Sequence, residues 1–104
     1  MNTKKDIINY LQQFNDTYKS RGFQIIGLFG SYARDTQDPF SDIDLSYAMD
    51  HEIFHKNNAF AKLIELDNIK KELEQTFKNR VDLIPANTKN SLLQKNLKKE
   101  QILI

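Results

Sequence analysis

Three acids stand in apolar surroundings: Asp42 and Asp44 in the run SDIDL, and Asp82 in RVDLI. Carboxylates are seldom taken into such runs without a partner that compensates their charge. Strand side chains repeat every two residues, so Asp42 and Asp44 face one side, with β-carbons about 7 Å apart. Two carboxylates that close repel unless a cation or a proton lies between them. Mg²⁺ suits them, because it takes one or two carboxylates and fills its octahedron with water and phosphate oxygens. Asp82 repeats the pattern between Val81 and Leu83. If the two strands are neighbours, three carboxylates converge on one face, the ligand set of a two-metal phosphoryl-transfer site.

Phosphates need donors as well as metals. Gly30-Ser31 follow a buried run and precede a short helical turn, Tyr32 to Arg34. Glycine lets the backbone approach a phosphate closely, serine adds a hydroxyl, and a helix N-terminus offers N–H groups. Arg34, one turn on, adds a fixed positive charge. Singly these signals are weak. The order strand, Gly-Ser, Asp-x-Asp on a second strand, then Asp on a third is much more specific.

The elements that must carry these residues follow from hydrophobic spacing. Ile7, Ile8, Leu11, Phe14 and Tyr18 recur at three- and four-residue intervals, which predicts a helix over 4–20 ended near Gly22. Residues 23–29, FQIIGLF, read as a buried strand. Residues 35–39, DTQDP, are a loop by composition. Over 42–47, Ile43, Leu45 and Tyr47 alternate with Asp42, Asp44 and Ser46, a strand with one apolar and one polar face. The longest helix is predicted over 59–77, with Phe60, Leu63, Leu66, Ile69, Leu73 and Phe77 facing inward. A strand over 80–85 ends at Pro85, a last helix covers about 88–100, and the terminal Ile-Leu-Ile docks. The order α-β-(α)-β-α-β-α implies a small sheet packed against helices, an α+β fold.

Length and composition bound the rest. The 104 residues suit a single domain, 1–104, with one hydrophobic core. The absence of cysteine excludes disulfides and thiolate metal sites and fits a reducing cytosol. Lys4 and Lys5 before Ile7-Ile8 resemble the start of a signal peptide, but Asn9, Gln12 and Gln13 break the apolar run at once. No segment approaches membrane-spanning length. The formal charge of +1 gives no overall attraction for nucleic acid or membrane. It divides unevenly: residues 1–50 hold 5 basic and 7 acidic side chains (−2), residues 51–104 hold 10 and 7 (+3). Lys89, Lys95, Lys98 and Lys99 cluster near the end, as on a solvated helix face.

GSYAR followed by SDIDL, with VDLI after an intervening helix, resembles the polymerase-β-like nucleotidyltransferases, and most closely their minimal nucleotidyltransferase branch. The motifs cover 23–85. This resemblance implies a mixed sheet with the acids on its face and ATP bound through Mg²⁺, two ions in all. Gly30 and Ser31, with Arg34, would hold the triphosphate. Asp42 and Asp44 would ligate both metals, and Asp82 would complete the second site and help deprotonate the attacking hydroxyl. Many minimal members are antitoxins paired with a HEPN-domain ribonuclease toxin, which implies AMP transfer to a toxin tyrosine in the cytoplasm. Larger relatives that modify small molecules carry a substrate-binding domain that has no counterpart here. The alternative is an antitoxin of the same fold that neutralises its toxin by contact alone, with Ile102, Leu103 and Ile104 beside the lysines as a candidate contact.

One departure bears on that choice. Members of this family commonly have glycine after the arginine, where this chain has Asp35. If glycine serves a positive φ there, aspartate is among the better substitutes. If it makes room beside phosphate, the extra negative charge weakens nucleotide binding.

A rival motif, His51-Glu52-Ile53-Phe54-His55, fits the H-E-x-x-H pattern of zinc peptidases, with Glu74 as a distant third ligand. It needs a helix that brings both histidines to one face, and it leaves the three aspartates unexplained. A polar connector between strand and long helix is the simpler reading, with Asp50 as a helix N-cap.

Overall fold

The helix that spacing predicts from residue 4 is fixed at its start by a reciprocal cap. In the computed structural model, which describes residues 3–87 and 101–104, the Thr3 hydroxyl accepts from the Asp6 N–H at 3.1 Å, and the Asp6 carboxylate accepts from the Thr3 N–H at 3.3 Å. This capping box satisfies two N–H groups that helix geometry leaves without partners. Helix α1 then spans Lys4–Tyr18 and buries Ile7, Leu11 and Phe14. A 3₁₀ turn, Lys19–Arg21, extends it, and Gly22 ends it at φ 87°, in the left-handed region that glycine enters without strain.

Four strands form one mixed sheet: β1 (Phe23–Phe29), β2 (Ile43–Met49), β3 (Val81–Pro85) and β4 (Ile102–Leu103), in the spatial order β3-β2-β1-β4. β1 runs antiparallel to β2 and β4, while β2 and β3 are parallel. A parallel pair needs a crossover, and helix α2 (Ala59–Phe77) supplies it. The predicted α+β class and mixed sheet are what the chain forms.

A register shift between Ile25 and Gly27 shapes β1. Strict alternation would put Phe23, Ile25, Gly27 and Phe29 on one face. The extra residue lets Phe23, Ile25 and Leu28 all join the core. Asn15 serves the kink: its amide donates to the Ile25 carbonyl at 2.9 Å and accepts from the Ile25 N–H at 2.8 Å. Both groups are buried, so this side chain substitutes for a strand partner. The predicted docking of the C-terminus is also observed. Ile102 and Ile104 pack against the core, and the Ile104 N–H donates to the Ile26 carbonyl at 2.9 Å.

Two expectations need correction here. Of the six apolar residues predicted to face inward from the long helix, Ile69, Leu73 and Phe77 are buried and Leu66 packs partly against the core. Phe60 and Leu63 are 74% and 66% exposed. The first half of α2 faces the far ends of β2 and β3 across a cavity of about 740 Å³, lined by Tyr47, Met49, Leu63, Leu66 and Pro85 among others. Helical spacing reports which side chains share a face, but not how far the neighbouring sheet extends beneath them. Of the terminal apolar residues offered as a contact, Ile102 and Ile104 are engaged internally and only Leu103 is exposed. The predicted helix over 88–100, with its lysines, lies outside the described residues.

Candidate active site

The parallel register aligns Ile43 with Val81, Asp44 with Asp82, and Leu45 with Leu83. The two apolar–acid–apolar runs therefore lie side by side. Ile43, Leu45 and Val81 go fully into the core. Asp44 and Asp82, between them, emerge on the opposite face, where their side chains are hydrogen-bonded to each other.

Gly30 closes the third side of this pair. It follows Phe29, which pairs with Asp44, and it has φ 76°. A β-carbon at Gly30 would collide with the Asp44 carboxylate. Glycine is required here twice over, by backbone conformation and by the space that Asp44 takes.

Residues 31–35 form a compact turn rather than the expected short helix. The Arg34 N–H donates to the Gly30 carbonyl at 3.2 Å, and the Thr36 N–H donates to the Ser31 carbonyl at 2.9 Å. Only one turn's worth of bonds forms, because Asp35 enters the left-handed region at φ 57° and turns the chain out of helix. The turn is anchored by Tyr32 and Ala33, both buried. The Tyr32 hydroxyl accepts from the Asn79 amide at 2.9 Å, which ties the turn to the second residue before β3. Gly30, Ser31 and Arg34 are thereby held against the strand ends that carry Asp44 and Asp82.

Burial is the largest influence on Asp44 and pushes its carboxyl from the ordinary 3.8 up to about 6. The charge of Asp82, the hydrogen bond with it, and the charge of Asp42 add to the rise, and Arg34 opposes it. Arg34 is thus close enough to act on Asp44 electrostatically. A carboxylate in this state holds a proton or welcomes a cation.

Asp42 departs from the expected geometry. It lies just before β2, and its carboxylate accepts from the Arg80 guanidinium at 3.1 Å. The three carboxylates do not converge as a set, and among the described residues no group of three or more acids or histidines is arranged to hold a metal ion. Asp42 is partnered instead by the cation directly before the neighbouring strand, while its charge still acts on Asp44. Arg80 is the residue of this site that the sequence reading missed; the signal available was its place directly before VDLI.

Further along the same face Ser46 is fully buried, donating to Gln101 at 2.5 Å, and the Gln101 side chain fills the space over Gly27. That end of the face is sealed, whereas Asp82 is exposed.

The rival motif loses its premise. Residues 51–57 are turns, not helix, and Phe54 is buried in the core. His51 Nδ1 lies 3.2 Å from the Lys62 ammonium, and His55 has φ 47°. Asp50 caps only a turn, accepting from the Glu52 N–H through its side chain.

The family profile described as polymerase beta, nucleotidyltransferase, matches residues 5–104. The chain belongs to the polymerase β nucleotidyltransferase family. Its sequence is 31% identical over 102 residues to a Methanocaldococcus jannaschii protein that carries the name protein adenylyltransferase, covering 97% of this chain and 93% of that one. Its fold matches that of a protein described as a minimal nucleotidyltransferase with a TM-score of 0.72 at 20% identity, covering 99% and 97% of the two chains. A toxin–antitoxin crystallised with AMP-PNP matches with a TM-score of 0.62 at 24% identity, over 96% of this chain and 70% of that one. The family's reaction class, nucleotidyl transfer, agrees with acids and a Gly-Ser turn brought to one sheet face.

Proposed function

We propose that this nucleotidyltransferase moves AMP from ATP onto a hydroxyl of a protein, a tyrosine of a HEPN-domain ribonuclease toxin, and so acts as the antitoxin of a cytoplasmic pair. The observation that carries the reading is the Asp44–Asp82 pair beside Gly30. Two acids lie side by side on one sheet face, with Asp44 pushed up chiefly by burial, next to a glycine whose missing β-carbon leaves room for the Asp44 carboxylate.

In this reading the Gly30–Ser31 turn binds the triphosphate and Arg34 offsets its charge. The acceptor hydroxyl attacks the α-phosphorus, the bond to the β-phosphate bridging oxygen breaks, and pyrophosphate leaves. The hydroxyl proton passes to Asp82, which is exposed where an acceptor would approach. The donor set consists of hard carboxylate oxygens close enough to act on one another, and so fits Mg²⁺. Asp44 and Asp82 would hold it, joined by Asp42 once Arg80 yields that carboxylate. Bound there, Mg²⁺ would neutralise the phosphates and the charge that develops on the leaving oxygen.

A macromolecular acceptor is supported by the adenylyltransferase relative and by the toxin–antitoxin neighbour with its bound nucleotide analogue. Among the described residues no helix is long and apolar enough to cross a membrane.

The test uses α-labelled ATP, Mg²⁺, the purified protein and a lysate of its native host, beside Asp44→Asn. A single labelled protein band that the variant fails to produce is the expected result. Label in RNA or a small molecule would keep the chemistry and overturn the acceptor. Absence of both label and nucleotide binding would leave an antitoxin that works by contact alone.

A further inference from the structure

Asp35 is the last residue of the turn over 31–35 that, in the proposed reading, holds the triphosphate, so it adds a negative charge to that turn. Its backbone and its side chain are both accounted for. The φ of 57° puts it in the left-handed region that aspartate tolerates better than most residues. Its Oδ2 lies 2.9 Å from the Lys4 ammonium, and the same ammonium donates to the Ala33 carbonyl at 3.4 Å. Lys4 thus grips the turn at two points from the first residue of α1, 29 positions away in the chain.

The exposure of the pair decides what it can do. The Lys4 and Asp35 side chains are 32% and 61% exposed, so the ion pair adds little to stability. Its effect on a polyanion nearby is another matter. An unpaired carboxylate would repel a bound triphosphate, and a cation fixed beside it cancels that repulsion within a Debye length of about 8–10 Å.

We infer that Lys4 is a positioning residue for nucleotide binding: it neutralises Asp35 and draws its carboxylate toward the start of α1. This rests on the proposed use of the Gly30–Ser31 turn for ATP. It means that Lys4 and Asp35 work as a pair, and that loss of the lysine harms binding only while the aspartate is present.

Mg·ATP titrations and steady-state transfer on the full chain test this with Lys4→Met, Asp35→Gly, the double variant and Lys4→Arg. Lys4→Met should raise KM for ATP about three- to tenfold with kcat little changed, and the defect should shrink in 0.5 M salt as ~3–5 Å screening sets in. Asp35→Gly should restore the KM in the Lys4→Met background, and Lys4→Arg should match the wild type. Unchanged KM in Lys4→Met overturns the inference. An equal defect with and without Asp35 also overturns it, because Lys4 would then act on the nucleotide directly. A wild-type chain that binds no Mg·ATP overturns the underlying reading, and this one with it.

Discussion

Replacing Asp44 by asparagine should abolish transfer and stabilise the protein at neutral pH. The carboxyl is pushed from 3.8 to about 6, chiefly by burial and then by Asp82. In the folded chain the proton is held more tightly than in the unfolded one. Asp44 therefore weighs least on stability below pH 3.8; its cost grows between 3.8 and about 6 and is constant above. The full rise corresponds to about 3 kcal/mol at pH 7.5. Asp44 is only partly buried, and screening by water reduces that to about 1 kcal/mol. Asparagine keeps the shape, carries no charge and can donate to Asp82. Thermal melts by circular dichroism in EDTA should show Asp44→Asn melting about 4–8 °C above the wild type at pH 7.5. The gap should close as pH falls toward 4. Mg²⁺ should narrow it at pH 7.5, by stabilising the wild type more than the variant. A variant no more stable than the wild type at pH 7.5, or a gap that does not vary with pH, would refute the account of a carboxyl raised by burial beside Asp82.

Gly30→Ala should lose at least about tenfold in transfer rate and about 1–2 kcal/mol of stability, since its β-carbon meets the Asp44 carboxylate at a positive φ; labelled-ATP assays and urea titration check both. Asn15→Leu leaves the Ile25 N–H and carbonyl buried without partners, so urea denaturation should show a loss of about 2–4 kcal/mol. The double change His51→Ala and His55→Ala should leave transfer within about twofold, and metal analysis of the wild type should find no stoichiometric zinc, because two histidines on a turn lack a tetrahedral set.

Much of the site was legible in the sequence because its signals are local. Strand alternation fixes which face Asp44 takes, and a glycine after a buried strand marks a turn whatever lies around it. The repeated apolar–acid–apolar pattern foretold that Asp44 and Asp82 would meet if their strands were neighbours. Periodicity placed β1, β2, β3 and the bounds of α2, the latter to the residue, but not β4, where the sequence predicts only docking. What it could not supply was the company each side chain keeps.

Whether β2 and β3 pair, and in what register, is a property of the sheet, and only that pairing sets Asp44 against Asp82. Arg80 takes Asp42, Asn79 ties down Tyr32, and Lys4 answers Asp35 across 38, 47 and 31 positions of sequence respectively. Such contacts join residues far apart in the chain, so neither partner points to the other locally. The exposed half of α2 teaches the same lesson in reverse: its apolar spacing is intact, but the sheet ends before it does. The sequence by itself determined which residues can do chemistry and which face of each element they occupy, because those follow from backbone periodicity. The tertiary structure decided which of them stand together, because charge and packing act through space and not along the chain.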